Sequence, residues 1–212
     1  VVYLSEQGNS LPFAKWTCYD AGVHSACIVR WPGVVKSGSV SDALVEYVDI
    51  VPTFVDIAGG KPQARVDGES FKKEHKKYSF SLQTSRGINK GPEYYGIRSA
   101  YDGRYRYIVN LTPEATFQNA MTATPLFKEW EQLAETDSHA KAMTFKYQHR
   151  PAIELYDVRN DPFCMNNLAG DTKYSNIIIR LDAELKKWMK ACGDEGQATE
   201  MRAFDHMPSK QK

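Results

Sequence analysis

The chain has 212 residues, 42% hydrophobic and 12% aromatic, enough to build a real core, so a globular fold is expected rather than a disordered or fibrous one. Its 27 basic and 26 acidic residues leave a net charge of +1, which gives no global field for steering nucleic acid or an acidic membrane. The longest apolar runs, Ala26 to Val29 and Ile177 to Ile179, fall far short of the roughly 20 residues that cross a bilayer, and no membrane span is expected.

Val1 to Leu4 is a short β-rich run without polar alternation, the pattern of a strand covered on both faces in a parallel sheet. Such a strand has no neighbour elsewhere in the chain. The N-terminus carries no start methionine and no signal-peptide pattern, so the chain is expected to be a piece of a longer protein. Ser5 to Ser10 is polar and turn-forming, and a polar loop at the carboxyl end of a buried strand is where open α/β sheets bind ligands. A second strand, Ala26 to Arg30, ends at Trp31-Pro32-Gly33. Asp49 can cap a helix with Pro52 in its first turn, a shared face of Val51, Phe54, Val55 and Ala58, and a stop at Gly59-Gly60. Phe71 to Lys77 is lysine-rich; it reads as a solvated face before it reads as a heparin patch.

From about Arg86 the pattern changes to short strands. Tyr95 to Ala100 and Tyr105 to Asn110 flank Asp102-Gly103, which signals an antiparallel hairpin. A polar helix around Leu126 to Ala134 and a strand at Ile153 to Val158 follow. Ile177, Leu181, Leu185, Trp188 and Cys192 share one face of a helix from Tyr174 to Cys192, stopped by Gly193 and suited to lie across the small sheet. The tail after Gln197 is expected to be mobile. Cys18, Cys27, Cys164 and Cys192 show no zinc spacing, and Cys27 and Cys192 read as buried thiols.

Few residues declare chemistry. Glu6 and Gln7 offer a carboxylate and an amide oxygen of the kind Ca²⁺ or Mg²⁺ accepts, although such a pair in a turn is ordinarily just solvated. Lys15, among apolar and aromatic neighbours, can serve an oxyanion as a point charge or pack its stem on Trp16. Arg86 and His149 are substrate-contact guesses, and His24 reads as hydrogen-bonded scaffolding. Asn110-Leu111-Thr112 fits a glycosylation sequon; P-loop, GxSxG, HExxH and dinucleotide motifs are missing.

In order, these segments resemble the second half of a type I sulfatase. Val1-Val2-Tyr3-Leu4-Ser5-Glu6-Gln7-Gly8 is similar to the strand and loop that carry metal ligands in that family, and Lys15 with Tyr19-Asp20-Ala21-Gly22 to the segment where a lysine precedes Tyr-Glu-x-Gly. Ile28 to Gly33, Val48 to Thr53 and Asp67-Gly68-Glu69-Ser70-Phe71 match further signatures. Tyr95 to Ser99, Tyr105 to Leu111, Arg150 to Asp157 and Asn166 to Ala169 narrow the likeness to the sulfamidase (heparan N-sulfatase) branch.

The resemblance implies an α/β fold: residues 1–86 as the C-terminal segment of an alkaline-phosphatase-like mixed sheet, and 87–212 as a small antiparallel sheet with a long C-terminal helix. It implies Glu6 and Gln7 as metal ligands, with Ca²⁺ favoured over Mg²⁺, and Lys15 as the sulfate contact. Glu6 is one methylene longer than the usual aspartate, and Gln7 replaces a histidine or asparagine. It further implies a sulfated glycan substrate, with N-sulfoglucosamine of heparan or heparin foremost, and a periplasmic, secreted or lysosomal setting. The family's nucleophile, a formylglycine made in a Cys/Ser-x-Pro-x-Arg motif, begins at no cysteine or serine here, so an N-terminal half is the implied partner. Two other readings stay open: a non-catalytic glycan-binding or structural module, and a phosphate or phosphonate ester hydrolase of the same fold.

Overall fold

The computed structural model describes residues 1–61, 66–72, 76–84 and 94–206. Strands β1 (Val2–Leu4) and β2 (Cys27–Val29) form an antiparallel ribbon with Tyr3 opposite Ile28. This corrects the expected parallel strand without a neighbour in the chain. An unalternating apolar run does not encode strand direction, and the connection through helix α1 (Asp20–Val23) brings the chain back antiparallel. Tyr3 and Ile28 are exposed rather than covered.

Helix α2 spans Ile50–Ile57, close to expectation, but its buried residues are Pro52 and Thr53, while Val51 and Phe54 face out. Asp49 does not cap it. The carboxylate turns back to accept the Glu46 N–H at 2.9 Å and closes a capping box around the 3₁₀ turn Tyr47–Asp49. Its other oxygen accepts the Glu69 N–H at 2.9 Å and meets Lys76 Nζ at 2.7 Å. The segment 67–70 crosses so tightly that a Cβ on Gly68 would sit 2.0 Å from the Val48 carbonyl oxygen, so only glycine fits. Ser70 then donates to Asp56 at 2.7 Å. Two separate sequence signatures, 48–53 and 67–71, are therefore one clasp.

The main sheet has the antiparallel order β3 (Ser79–Gln83), β4 (Ile97–Tyr101), β5 (Tyr105–Asn110), β6 (Ile153–Asp157). The hairpin at Asp102-Gly103 forms as read, with Asp102 accepting the Arg104 and Tyr105 N–H groups at 3.0 and 2.7 Å. Strand β3 is additional to the sequence reading. It lies ahead of residue 86 and edges this sheet.

One face of the sheet carries Ala100, Tyr107 and Leu155 against Leu181 and Leu185 of the long helix α5 (Ser175–Ala191), with Trp188 stacked on Phe80 at 5.1 Å. The helix lies across the sheet as its apolar spacing requires. The opposite face packs Ile97, Ile108 and Tyr156 under α3 (Pro125–Leu133) and α4 (Ser138–Gln148), and takes in Cys18 and Tyr19 from the N-terminal segment. Helix α4 has no clear apolar stripe to announce it; Asp137 caps it and Tyr147 anchors it.

The centre of this second core is ionic. Arg150 is fully buried and meets Glu154 through Nε and Nη2 at 3.2 and 2.8 Å, its guanidinium 4.4 Å from the Tyr19 ring centre. Glu154 accepts further bonds from Tyr19, Tyr156 and Asn110 at 3.0, 2.5 and 2.7 Å. Burial pushes its carboxyl up, but Arg150 and these donors outweigh that and hold it below the usual carboxylate range. Asn110 is 2% exposed and spends its amide on this network and the Pro151 carbonyl, so the sequon is a structural asparagine in the folded chain.

Two further expectations change. Cys27 and Cys192 are exposed, whereas Cys18 and Cys164 are the buried thiols; the strand of one and the helix end of the other sit at the margin of the described fold. Residues 197–201 form helix α6 (Gln197–Met201), because Glu200 plugs under Gly96 and pairs with Arg98 at 2.9 Å while Asp194 holds the same guanidinium; residues 207–212 of the expected mobile tail lie outside the described residues. A buried charge pair in a tail has no apolar periodicity to reveal it.

Glu154→Ala leaves Arg150 buried without its partner and is expected to cost about 3–5 kcal/mol. The loss should lower the urea midpoint with little change in slope, and a loss below about 1 kcal/mol would show the pair to be incidental.

Candidate functional site

The site is built by two loops that follow β1. The first, residues 5–10, turns at Gly8, where φ is +61° and a Cβ would come within 2.9 Å of Lys15 N. The second, residues 11–17, returns to meet it, the Lys15 N–H donating to the Asn9 carbonyl at 3.1 Å. Gly22 admits the third wall of this knot: a Cβ there would lie 2.4 Å from the Ala14 carbonyl oxygen. The glycines of two sequence signatures thus have one cause, close packing around Lys15.

Phe13 and Trp16 flank Lys15 in left-handed conformations, with φ of 63° and 62°. Each costs energy for a bulky side chain, and such strain persists only where the surroundings impose it. It aims Lys15 at the first loop, where Nζ lies 2.6 Å from Glu6 Oε1; the lysine side chain is 16% exposed and Glu6 70%. The ammonium also lies 5.8 Å from the Trp16 ring centre, within reach of a cation–π contact.

Gln7 sits exposed beside Glu6. The pair suits a hard cation in chemistry, since both side chains donate oxygen, but they fill only part of the six to eight positions calcium takes. Among the described residues no group of three His, Cys, Asp or Glu is gathered to complete a shell. His149 closes α4 with its ring 4.5 Å from that of Phe145, exposed, and no described hydrogen bond or ion pair joins it to Glu6, Gln7 or Lys15. Arg86 lies outside the described residues.

Residues not read as functional fix the knot to the sheet. Asp20 is held by Arg106 of β5 at 2.7 Å and by His24 at 3.1 Å. Burial pushes its carboxyl up, and the two cationic partners bring it below the ordinary range. The hydrogen bond to Asp20 raises His24 above its usual value. Tyr19 reaches Glu154 from the next position along. The available signal was charge inside strands: Arg106 and Glu154 interrupt apolar runs where a strand core has no cheap place for an unpaired ion.

A family model described as "N-sulphoglucosamine sulphohydrolase, C-terminal" matches residues 8–86. An ulvan-active sulfatase of Formosa agariphila is 34% identical over 91% of this chain and 38% of its own length. Human N-sulphoglucosamine sulphohydrolase is 26% identical over 89% of the chain and 41% of its own length. Among solved structures, a protein in complex with its substrate D-glucosamine-2-N,6-O-disulfate superposes with a TM-score of 0.64 at 20% identity, covering 92% of this chain and 35% of that one. A 2-O glycosaminoglycan sulfatase gives 0.59 at 23%, covering 86% and 33%. These structural neighbours share the alkaline-phosphatase-like fold, and the chain spans well under half the length of the relatives it matches.

Because His24 is raised by Asp20, its contribution to stability is fully present below its unfolded value near 6.5 and is lost as pH rises through the higher folded value. An NMR titration of His24 should therefore read above 6.5 in the native protein and fall toward it in Asp20→Asn. An unshifted His24 in the native protein would remove the link.

Proposed function

Because this chain belongs to the sulfatase family and matches its C-terminal part, we propose that it contributes the sulfate-contacting lysine and two metal-ligand positions to an enzyme that removes sulfate groups from sulfated sugars. The observation that carries the reading is the contact of Lys15 with Glu6 across two loops, held by strained neighbours at the end of β1. An ammonium fixed by a flexible, exposed carboxylate is preorganised yet can transfer to an incoming sulfate oxygen, where it offsets charge as the bond to sulfur breaks.

Glu6 and Gln7 would hold the metal through oxygen, with Ca²⁺ preferred to Mg²⁺ because both side chains are long and exposed enough for an irregular shell. When bound, the cation supplies positive charge at the sulfate. One methylene longer than aspartate, Glu6 would reach a cation bound beside Gln7 while its other contact, with Lys15, is the one the structure shows. The proposed nucleophile is a formylglycine on the N-terminal part of the enzyme, since residues 1–212 contain no Cys/Ser-x-Pro-x-Arg segment. Support for such a partner comes from apolar side chains left facing out beside the site, with Tyr3, Ile28, Val51 and Phe54 each about half exposed or more.

Within sulfated sugars, N-sulfoglucosamine of heparan or heparin is the proposed substrate, in keeping with the family model and the human relative. The ulvan-active and N-acetylglucosamine-6-O-sulfatase relatives extend the same chemical class to other sulfated saccharides. The second reading, a non-catalytic glycan-binding module, is favoured by the missing nucleophile motif alone.

Released sulfate, measured by ion chromatography with N-sulfoglucosamine as substrate, separates the two. No release is expected from residues 1–212 alone, and release is expected once the chain is joined to a part bearing the formylglycine motif. In that joined protein Lys15→Ala should lower kcat/KM by about 10²–10³-fold, as for other lost oxyanion contacts. Turnover by the 212-residue chain, or an unaffected Lys15→Ala enzyme, would sink the assignment.

A further inference from the structure

A second cationic feature lies on a different group of elements. A cleft of about 410 Å³ is walled by residues 42–44, residues 76–78, the β4–β5 turn at Asp102-Gly103, Arg159 and Arg180 of α5. This volume falls within the roughly 300–1,000 Å³ typical of small-ligand sites.

Its cations are not equivalent. Lys76 is neutralised by Glu46 and Asp49, at 2.6 and 2.7 Å. Arg180 is fixed by Asp102 at 2.5 Å and by the Tyr78 hydroxyl at 3.2 Å, yet stays 43% exposed. Arg159 donates Nε to the Gly103 carbonyl at 3.2 Å, which uses a neutral acceptor and leaves its charge uncompensated among the described residues. Lys77 is exposed and has no described ion pair. Asp42 lines the same cleft and opposes an anion, while Asp102 is offset by Arg180.

Two guanidiniums are thus oriented by bonds that use only part of each donor fork, with the exposed Lys77 ammonium beside them. That arrangement matches a tetrahedral oxyanion, which accepts paired N–H groups from arginine and a point charge from lysine. The overall charge of +1 supplies no global field for polyanions, so binding here would depend on these local cations.

We propose that this cleft is a subsite for a sulfate group on the glycan chain, on a sugar other than the one being hydrolysed. The assignment rests on the sulfated-sugar reading above. It makes longer sulfated chains better ligands than short ones.

The test is calorimetric titration of the formylglycine-bearing joined protein with a heparin-derived disaccharide and hexasaccharide at fixed ionic strength. Lys77→Ala/Arg159→Ala should weaken the hexasaccharide about 10-fold, as expected for lost charge-assisted contacts, and leave the disaccharide within twofold. The control Lys187→Ala/Lys190→Ala removes the same charge from α5 and should leave both ligands unchanged. Arg159→Lys, which keeps the charge and loses the fork, should weaken the hexasaccharide by an intermediate factor. Circular dichroism of each variant checks that the fold is kept. An unchanged hexasaccharide affinity in the Lys77/Arg159 variant, or an equal loss in the control, overturns the subsite while sulfate release still supports the enzyme. Failure of the unsubstituted protein to bind either saccharide overturns both readings.

Discussion

The buried pair of Arg150 and Glu154 is the constraint on which the rest of the structure depends. An arginine with no exposed surface is tolerable only if its charge is matched, and here it pairs with Glu154, whose carboxylate is in turn held by two tyrosine hydroxyls and an asparagine amide. One of those hydroxyls belongs to Tyr19, which is far away in sequence. The ion pair therefore does more than fill the core under the sheet. It fixes the segment that carries Lys15 to the strands that follow, and Asp20 with Arg106 repeats the attachment one residue on.

From that anchor the candidate site follows by packing. Gly8 and Gly22 let three stretches of backbone approach closer than any side chain permits, and Phe13 and Trp16 absorb the resulting strain in left-handed conformations. A lysine held at such a junction has little freedom to choose its direction. Its ammonium meets Glu6, which is far more exposed, so the lysine is the positioned member of the pair.

The N-terminal ribbon and α2 show the opposite condition. Tyr3, Ile28, Val51 and Phe54 carry apolar surface that nothing among the described residues covers, whereas the four-stranded sheet is packed on both faces. That exposed apolar surface belongs to the same N-terminal part of the chain as Glu6, Gln7 and Lys15. Glu6 and Gln7 place two side-chain oxygens after β1, and no group of three His, Cys, Asp or Glu is gathered among the described residues. The clasp of Asp49, Gly68 and Ser70 ties α2 to residues 67–70.

The sequence by itself determined the antiparallel hairpin at Asp102-Gly103, the strand at Ile153 and the helix across the sheet, because each is encoded by local turn chemistry or by apolar spacing. It also marked Glu6, Gln7 and Lys15 as a set, through a resemblance carried by colinear motifs rather than through any property of the three residues alone. Tertiary structure decided what local signals cannot carry. The direction of β1, the outward face of α2, the exposed Cys27 and helix α6 all depend on partners distant in sequence. The contact between Glu6 and Lys15 belongs to that second group, since two loops nine residues apart meet only where glycines at 8 and 22 remove the Cβ atoms that would keep them apart.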